Sequence, residues 1–163
     1  MENSAKRILL SDDQRRDWLR LFRSDGVGPR TFRSVVNRFG GAGAALKALP
    51  EYAARAGKTV TVFSERDADK EIALAARLGV RFVAMNEPDY PPALAQIHDA
   101  PPLIAVRGRG DGLRRAALAI VGSRNASANG LRLAENFAHS VGQEGFSIVS
   151  GLARGIDARA HVA

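Results

Sequence analysis

Along the first half of the chain the apolar positions recur at helical spacing. Trp18, Leu21 and Phe22 form one set, Phe32, Val35, Val36 and Phe39 a second, and Ala68, Ile72, Ala75 and Ala76 a third. That interval puts side chains on one helix face, so three or four short helices are predicted between Asp13 and about Gly79. Gly26-Val27-Gly28-Pro29 reads as a tight turn with proline at the first helical position, and Phe39-Gly40-Gly41 ends that helix with glycine available for a left-handed cap. Ser64, with Asp67 three residues on, resembles a capping box ahead of the next helix.

At Gly79-Val80 the period changes. Residues 80–85, 103–106, 118–121 and 147–149 are short apolar runs bounded by turn residues, the pattern of strands buried on both faces. Between the first two lies MNEPDYPPALAQIHDAPPL, whose five prolines rule out a long helix. An ordered, extended connection with one helical turn from Pro92 to Ile97 is expected there. After Val121 the order is strand, loop, helix, strand, loop, helix start, the repeating unit of a parallel α/β sheet. The expected fold is therefore α/β: a small helical domain over residues 1–78, then a parallel-sheet domain over residues 79–163 that stops just inside a helix.

Composition narrows the chemistry. The chain has 163 residues, 45% of them hydrophobic, enough to bury a core in one domain or two small ones. It has no cysteine, which excludes disulfides, thiolate metal sites and cysteine nucleophiles. The opening MENSAKRILLSDDQ has only three apolar residues after its basic pair, too few for a signal-peptide core, and no apolar run approaches bilayer length. A soluble, cytoplasmic protein without a membrane partner is expected. The formal charge is +7, and arginine far outnumbers lysine. Arginine's planar fork matches phosphate and stacks on bases, so an anionic partner is favoured wherever arginines lie beside a phosphate-shaped loop.

Two such loops stand at successive strand ends. In AIVGSRNASANG, Gly122, Ser123 and Arg124 follow a strand pattern, and Ser127 opens a helix; Ser150 and Gly151 follow the next strand. Ligands of parallel sheets bind beyond the carboxyl ends of the strands, so the two loops are expected to be neighbours. Gly122 would let backbone N–H groups approach a ligand, Ser123 and Ser127 would add hydroxyls, the helix would present its positive end, and Arg124 would clamp an anion. The plainer alternative is a sharp strand-to-helix turn with Ser127 as an ordinary N-cap. A dinucleotide fingerprint is incomplete, because only Gly122 and Gly130 are present with arginine and asparagine between them, and no G-K-[ST] Walker loop occurs. Bound NAD or ATP is disfavoured, and no cofactor is expected.

Ser150, Asp157 and His161 contain the residue types of a hydrolytic triad, and Asp157 and His161, four apart, would share a helix face. The competing reading is a capping aspartate and a structural histidine; no catalytic residue is assigned, and no second acidic cluster supports a metal. In the helical half, LRLFRSDGVGPRTFRSVVNRFGG has the form of a helix-hairpin-helix, with Gly28, Arg30 and Arg33, and Arg38 beyond them, as weak phosphate contacts or as a solvated face.

These stretches together resemble a known family. AIVGSRNASANG followed by IVSGLARGIDARAH is similar to the signature of the bacterial DNA-processing (DprA, or Smf) family. YPPALAQIHDAPPLIAVRG resembles that family's lead-in to its Rossmann-like domain, and GVGPRTF its SAM-like helical domain. The resemblance implies a non-enzymatic mediator that binds single-stranded DNA taken up in natural transformation, protects it and helps load the RecA recombinase. It implies DNA contacts from Gly122, Ser123, Arg124, Ser127, Ser150 and Gly151, and architectural roles for Gly130, Gly155, Asp157 and His161. It also implies that later strands, with the homodimer surface and the RecA contact, lie beyond Ala163, leaving the Rossmann-like domain C-terminally incomplete. An open sheet lacking strands would expose an edge and an apolar face and tend to associate. Two other classes stay open: a Rossmann-like nucleotide-processing hydrolase and a protein-interaction module.

Overall fold

The computed structural model describes residues 9–163; most of the opening stretch searched above for a leader lies outside the described residues. The chain forms two compact units, the first ending at Arg109 and the second running from Gly110 to Ala163.

The first unit holds four helices, α1 (Asp12–Arg23), α2 (Pro29–Phe39), α3 (Ala42–Arg55) and α4 (Glu65–Arg77). Their ends follow local chemistry. Ser11 Oγ accepts from the Gln14 N–H at 3.2 Å, and Gln14 Oε1 accepts from the Ser11 N–H at 2.9 Å, a complete capping box. Replacing Ser11 with alanine is expected to cost about 1 kcal/mol, read as a fall of ~2–4 °C in Tm for a chain of this size. Pro29 opens α2, and Gly40, at φ 80°, closes it in the left-handed conformation with its N–H on the Val36 carbonyl. At α4 the box is altered: Ser64 Oγ accepts from the Asp67 N–H, but Asp67 Oδ2 takes the Ser64 hydroxyl at 2.7 Å. Aspartate is one methylene shorter than the glutamate that usually reaches back to the cap N–H.

The helical core joins Leu21, Val27, Phe32, Val35, Ala45 and Leu49 from three helices and the turn between the first two. Phe32 is wedged between Trp18 and Phe22, with ring centroids 4.9 and 6.3 Å away, the tilted and edge-on arrangements that aromatic quadrupoles favour.

Two strands complete this unit, β1 (Val80–Ala84) and β2 (Leu103–Arg107). They pair antiparallel, Val80 opposite Arg107 through Ala84 opposite Leu103. The sequence placed these two segments in the same sheet domain as the parallel unit after Val121; in the structure they form their own antiparallel pair within the first compact unit. The proline-rich connection, with the single turn α5 (Pro92–Ala95), folds back and returns the chain alongside β1. Tyr90 anchors the return through its hydroxyl on the Pro101 carbonyl at 2.6 Å, and the Met85 N–H bonds the Pro102 carbonyl. Leu19, Ala68, Ala84 and Leu103 share one buried cluster. The strands thus bury one face against α1 and α4, which carries the first compact unit to Arg109, past the junction expected at residue 78.

Glu87, only 7% exposed, binds this layer together. Its carboxylate accepts a two-pronged pair of bonds from Arg15, at 2.8 and 2.9 Å, and the N–H groups of Leu10 and Ala84. The same guanidinium also donates to the Phe82 and Leu10 carbonyls.

In the second unit a 3₁₀ turn (Asp111–Arg114) leads into β3 (Ala117–Ala119), α6 (Ala128–Gln143), β4 (Ser147–Val149) and α7 (Ile156–Ala160). β3 and β4 pair in parallel, Ala117 opposite Ser147 and Ala119 opposite Val149, the strand-helix-strand unit expected of this region. α6 turns Ala134 and Ala138 inward and leaves Leu133 and Phe137 exposed. The architecture is α/β: a mainly helical first unit that carries an antiparallel strand pair, and a second unit built on a strand-helix-strand motif. Among the described residues no helix is long and apolar enough to cross a membrane.

Candidate functional site

Parallel pairing brings the carboxyl ends of β3 and β4 side by side, and with them the loops after Ala119 and Val149. The Ile120 N–H bonds the Val149 carbonyl at 2.9 Å, extending the pairing one step toward the loops. The loops are then locked to each other through the start of α7. The Ile156 N–H donates to the Ser123 carbonyl at 3.2 Å. Gly155, at φ 83° and ψ −126°, lies directly on the first loop's backbone: a Cβ there would collide with the Ser123 carbonyl oxygen and lie 2.8 Å from the Arg124 carbonyl carbon. At Gly122 a Cβ would lie 2.7 Å from Ile156 Cγ1. Glycine is required at Gly155 because two backbones meet there, and at Gly122 because the branched Ile156 side chain already fills the space.

Asp157 completes the lock. It is 5% exposed, and its two carboxylate oxygens divide between the loops, Oδ1 accepting from the Gly122 N–H at 3.2 Å and Oδ2 from the Gly151 N–H at 3.1 Å. Burial alone would push this carboxyl up; the Gly122 N–H, the neighbouring Ser150 hydroxyl and the Ala153 and Gly151 N–H groups outweigh it and hold the group below its ordinary value. The Ser150 hydroxyl favours the ionised form from close by, but Ser150 Oγ is buried and makes no hydrogen bond of good geometry. The structure therefore spends the two glycine N–H groups internally, where the sequence suggested they would face a ligand.

The groups left facing outward are side chains and the helix end. Ser127 is the N-cap of α6, its Oγ accepting from the Gly130 N–H at 3.2 Å, which leaves its own O–H proton to donate. Ser123 Oγ accepts from the Asn125 N–H. The first N–H groups of α6, at Ala128 and Asn129, have no acceptor within the helix, as at any helix start. Arg124 is exposed, and so is Arg154 on the second loop; among the described residues neither takes part in an ion pair. Arg154 precedes the glycine that packs on the Arg124 backbone, so both cations leave the same loop pair. Sequence reasoning overlooked Arg154, although an arginine next to the second loop's closing glycine mirrors Arg124 on the first. Gly122, Ser123, Arg124, Ser127, Gly151 and Arg154 all lie on open surface.

The remaining candidates separate. No hydrogen bond joins Asp157 to His161, which is exposed at the end of α7. With Asp157 turned to the glycines and Ser150 Oγ buried, Ser150, Asp157 and His161 do not line up as nucleophile, base and orienting acid. In the first unit Gly28 is the N-cap of α2 and Arg30 reaches His98 Nδ1 at 3.1 Å. Arg33 donates to the His98 carbonyl at 2.7 Å and the Ala100 carbonyl at 3.3 Å. It ties α2 to the end of the proline-rich connection instead of offering its fork to solvent. Among the described residues no three histidine or carboxylate side chains converge as metal ligands would.

Two family models match the chain. That of the DNA recombination-mediator protein A family covers residues 81–163, and that of the DprA-like N-terminal HHH domain covers residues 12–74. Protein Smf of Synechocystis is 38% identical over 85 residues, half of this chain and 21% of that protein. The DNA processing protein DprA of Streptococcus pneumoniae is 43% identical over 74 residues, 45% of this chain and 26% of that protein. DprA of Bacillus subtilis is 33% identical over 86 residues, 52% of this chain and 29% of that protein. The crystal structure of the Streptococcus pneumoniae protein superposes with a TM-score of 0.64 at 20% identity, over 95% of this chain and 54% of that one; at that identity the likeness concerns the fold. The matched segments span between a fifth and a third of these relatives' lengths.

Proposed function

Since the chain belongs to the DNA recombination-mediator protein A family, we propose that it binds single-stranded DNA through the paired loops after β3 and β4, without catalysing a reaction on it. The observation that carries this reading is the pair of arginines, Arg124 and Arg154, exposed and without an ion pair among the described residues, on loops that are otherwise locked together by Asp157 and Gly155. A rigid, open surface with two free cations, serine hydroxyls and a helix N-terminus suits a phosphodiester backbone that passes across it. Such contacts read phosphate and not base identity. A mononucleotide is ordinarily held in a concave, largely enclosed pocket, which these exposed loops do not resemble.

In the wider role we assign to it, the protein receives single strands entering during natural transformation, shields them in the cytoplasm and helps load RecA. Homodimer formation belongs to the same proposal. Gly122, Ser150 and Gly151 contribute by shaping the loops, and Ser123, Arg124, Ser127 and Arg154 by contact. Gly28, Arg30 and Arg33 have a structural role in the helical unit.

Arg124→Ala is expected to weaken fluorescence-anisotropy binding of labelled oligo-dT about tenfold, the worth of one charge-assisted phosphate contact. The slope of log affinity against log salt should fall by about 0.7, the single-strand value for one phosphate. Titrations at several salt concentrations that leave both affinity and slope unchanged would remove Arg124 from the interface.

A further inference from the structure

A parallel sheet ordinarily offers an anion the backbone N–H groups just beyond adjacent strands. Here those groups belong to Gly122 after β3 and Gly151 after β4, and both are bound to one side chain of the same chain, at 3.2 Å from Oδ1 and 3.1 Å from Oδ2 of Asp157. The carboxylate is buried, while the glycines that grip it lie at the exposed surface.

We propose that Asp157 is a resident anion that fills the phosphate seat of this sheet and makes the site selective: it turns away nucleotides carrying a di- or triphosphate and leaves only the outer donors for a polymer's phosphates. This assignment rests on the DNA-binding reading above. A nucleoside diphosphate bound in the usual way would bring at least two negative charges to N–H groups that are already occupied, against an ionised carboxylate. A phosphodiester carries a single charge and needs no place in the seat, since Arg124, Arg154, Ser123 and Ser127 lie outside it.

The seat is tightly packed around the carboxylate's neighbours. A Cβ at Gly122 would lie 2.7 Å from Ile156, and one at Gly151 would lie 3.0 Å from Asp157 Oδ2. Ile156 thus fills the space beside Gly122, and the carboxylate lies directly against Gly151. Asp157 is a positioning and selecting residue in this scheme and touches no DNA.

The test uses the full chain and its Asp157→Asn variant, with a fluorescent nucleoside diphosphate (mant-ADP) and labelled oligo-dT as probes. The wild type should bind oligo-dT and show no saturable binding of mant-ADP. In Asp157→Asn, folded by circular dichroism, the preference for oligo-dT over mant-ADP should fall at least tenfold because the nucleotide gains affinity. Wild-type binding of mant-ADP as tight as that of oligo-dT would overturn the proposal, as would a folded variant whose nucleotide affinity is unchanged. Should the wild type bind neither probe while Asp157→Asn gains mant-ADP, the DNA-binding reading fails and the filled seat stands. Should the variant not fold, the wild type decides: inorganic phosphate added to ¹⁵N-labelled protein at neutral pH should leave the Gly122 and Gly151 amide signals in place. A saturable shift of those two amides would overturn the proposal.

Discussion

Gly155→Ala is expected to unfold the second unit or to leave its loops disordered. Two independent costs meet at this residue. Its backbone, at φ 83° and ψ −126°, lies in a region that L-residues with a Cβ avoid, which costs of the order of 1–3 kcal/mol. The added methyl would also collide with the Ser123 carbonyl oxygen and press on the Arg124 backbone. Neither neighbour is a flexible side-chain tip that can swing away, so relief requires separating the loops and breaking the Ile156 to Ser123 hydrogen bond. Overpacking of a rigid site adds about 1–3 kcal/mol more. The total is a large share of the ~5–15 kcal/mol that holds an ordinary domain together. Hydrogen exchange should show lost amide protection in β3, β4 and α6. Gly142→Ala is the matched control: it lies within α6, with open space at its Cβ and an ordinary φ. It should stabilise the protein by about 0.4–1 kcal/mol, because alanine restricts the unfolded chain. Equal effects of the two substitutions would show that the loops are not in backbone contact.

Glu87→Ala should be comparably damaging in the first unit. Removing the carboxylate strands the Arg15 guanidinium and the N–H groups of Leu10 and Ala84, all of which converge on it. Breaking a buried pair by deleting one partner costs about 3–5 kcal/mol. Glu87→Gln should cost less, since an amide oxygen still accepts from part of this set. The pair also sets a pH dependence. Burial pushes the Glu87 carboxyl up, but the hydrogen bond from Arg15, the backbone N–H groups of Ala84 and Leu10 and the Arg15 charge together hold it below its ordinary value. A depressed carboxylate stabilises the fold fully above its unfolded-state pKa and loses that contribution as pH falls through the lower, folded-state value. The wild type should therefore lose Tm relative to Glu87→Gln on acidification below the usual glutamate range, and the gap between them should be constant at neutral pH. A gap that widens toward neutral pH from an already neutral plateau would contradict the buried ion pair.

How much of this was legible in the sequence depended on distance along the chain. Features set by neighbours were readable: Pro29 opening α2, Gly40 closing it at φ 80°, Ser127 capping α6, and the loops at the ends of β3 and β4. Each rests on a backbone preference or a hydrogen bond spanning a few residues, and the family resemblance drew on the same contiguous stretches. The pairing of β1 with β2 was not readable, because an apolar run looks the same whether its neighbour is parallel or antiparallel. Leu19 and Ala68 had to cover one face of those strands before the antiparallel arrangement was settled.

The site divides in the same way. The residue types at Gly122, Ser123, Arg124 and Gly151 raised the expectation of an anion-binding surface, and the sequence by itself determined that two such loops would adjoin. Only the tertiary structure decided what each group was free to do. Asp157 reaches Gly122 across 35 positions and takes the N–H that the glycine would otherwise offer. Arg33 turns to carbonyls 65 and 67 positions away, whereas Arg124 and Arg154 stay exposed and form no ion pair among the described residues. A donor's availability is fixed by whichever acceptor folding brings to it, and that acceptor is seldom close in sequence.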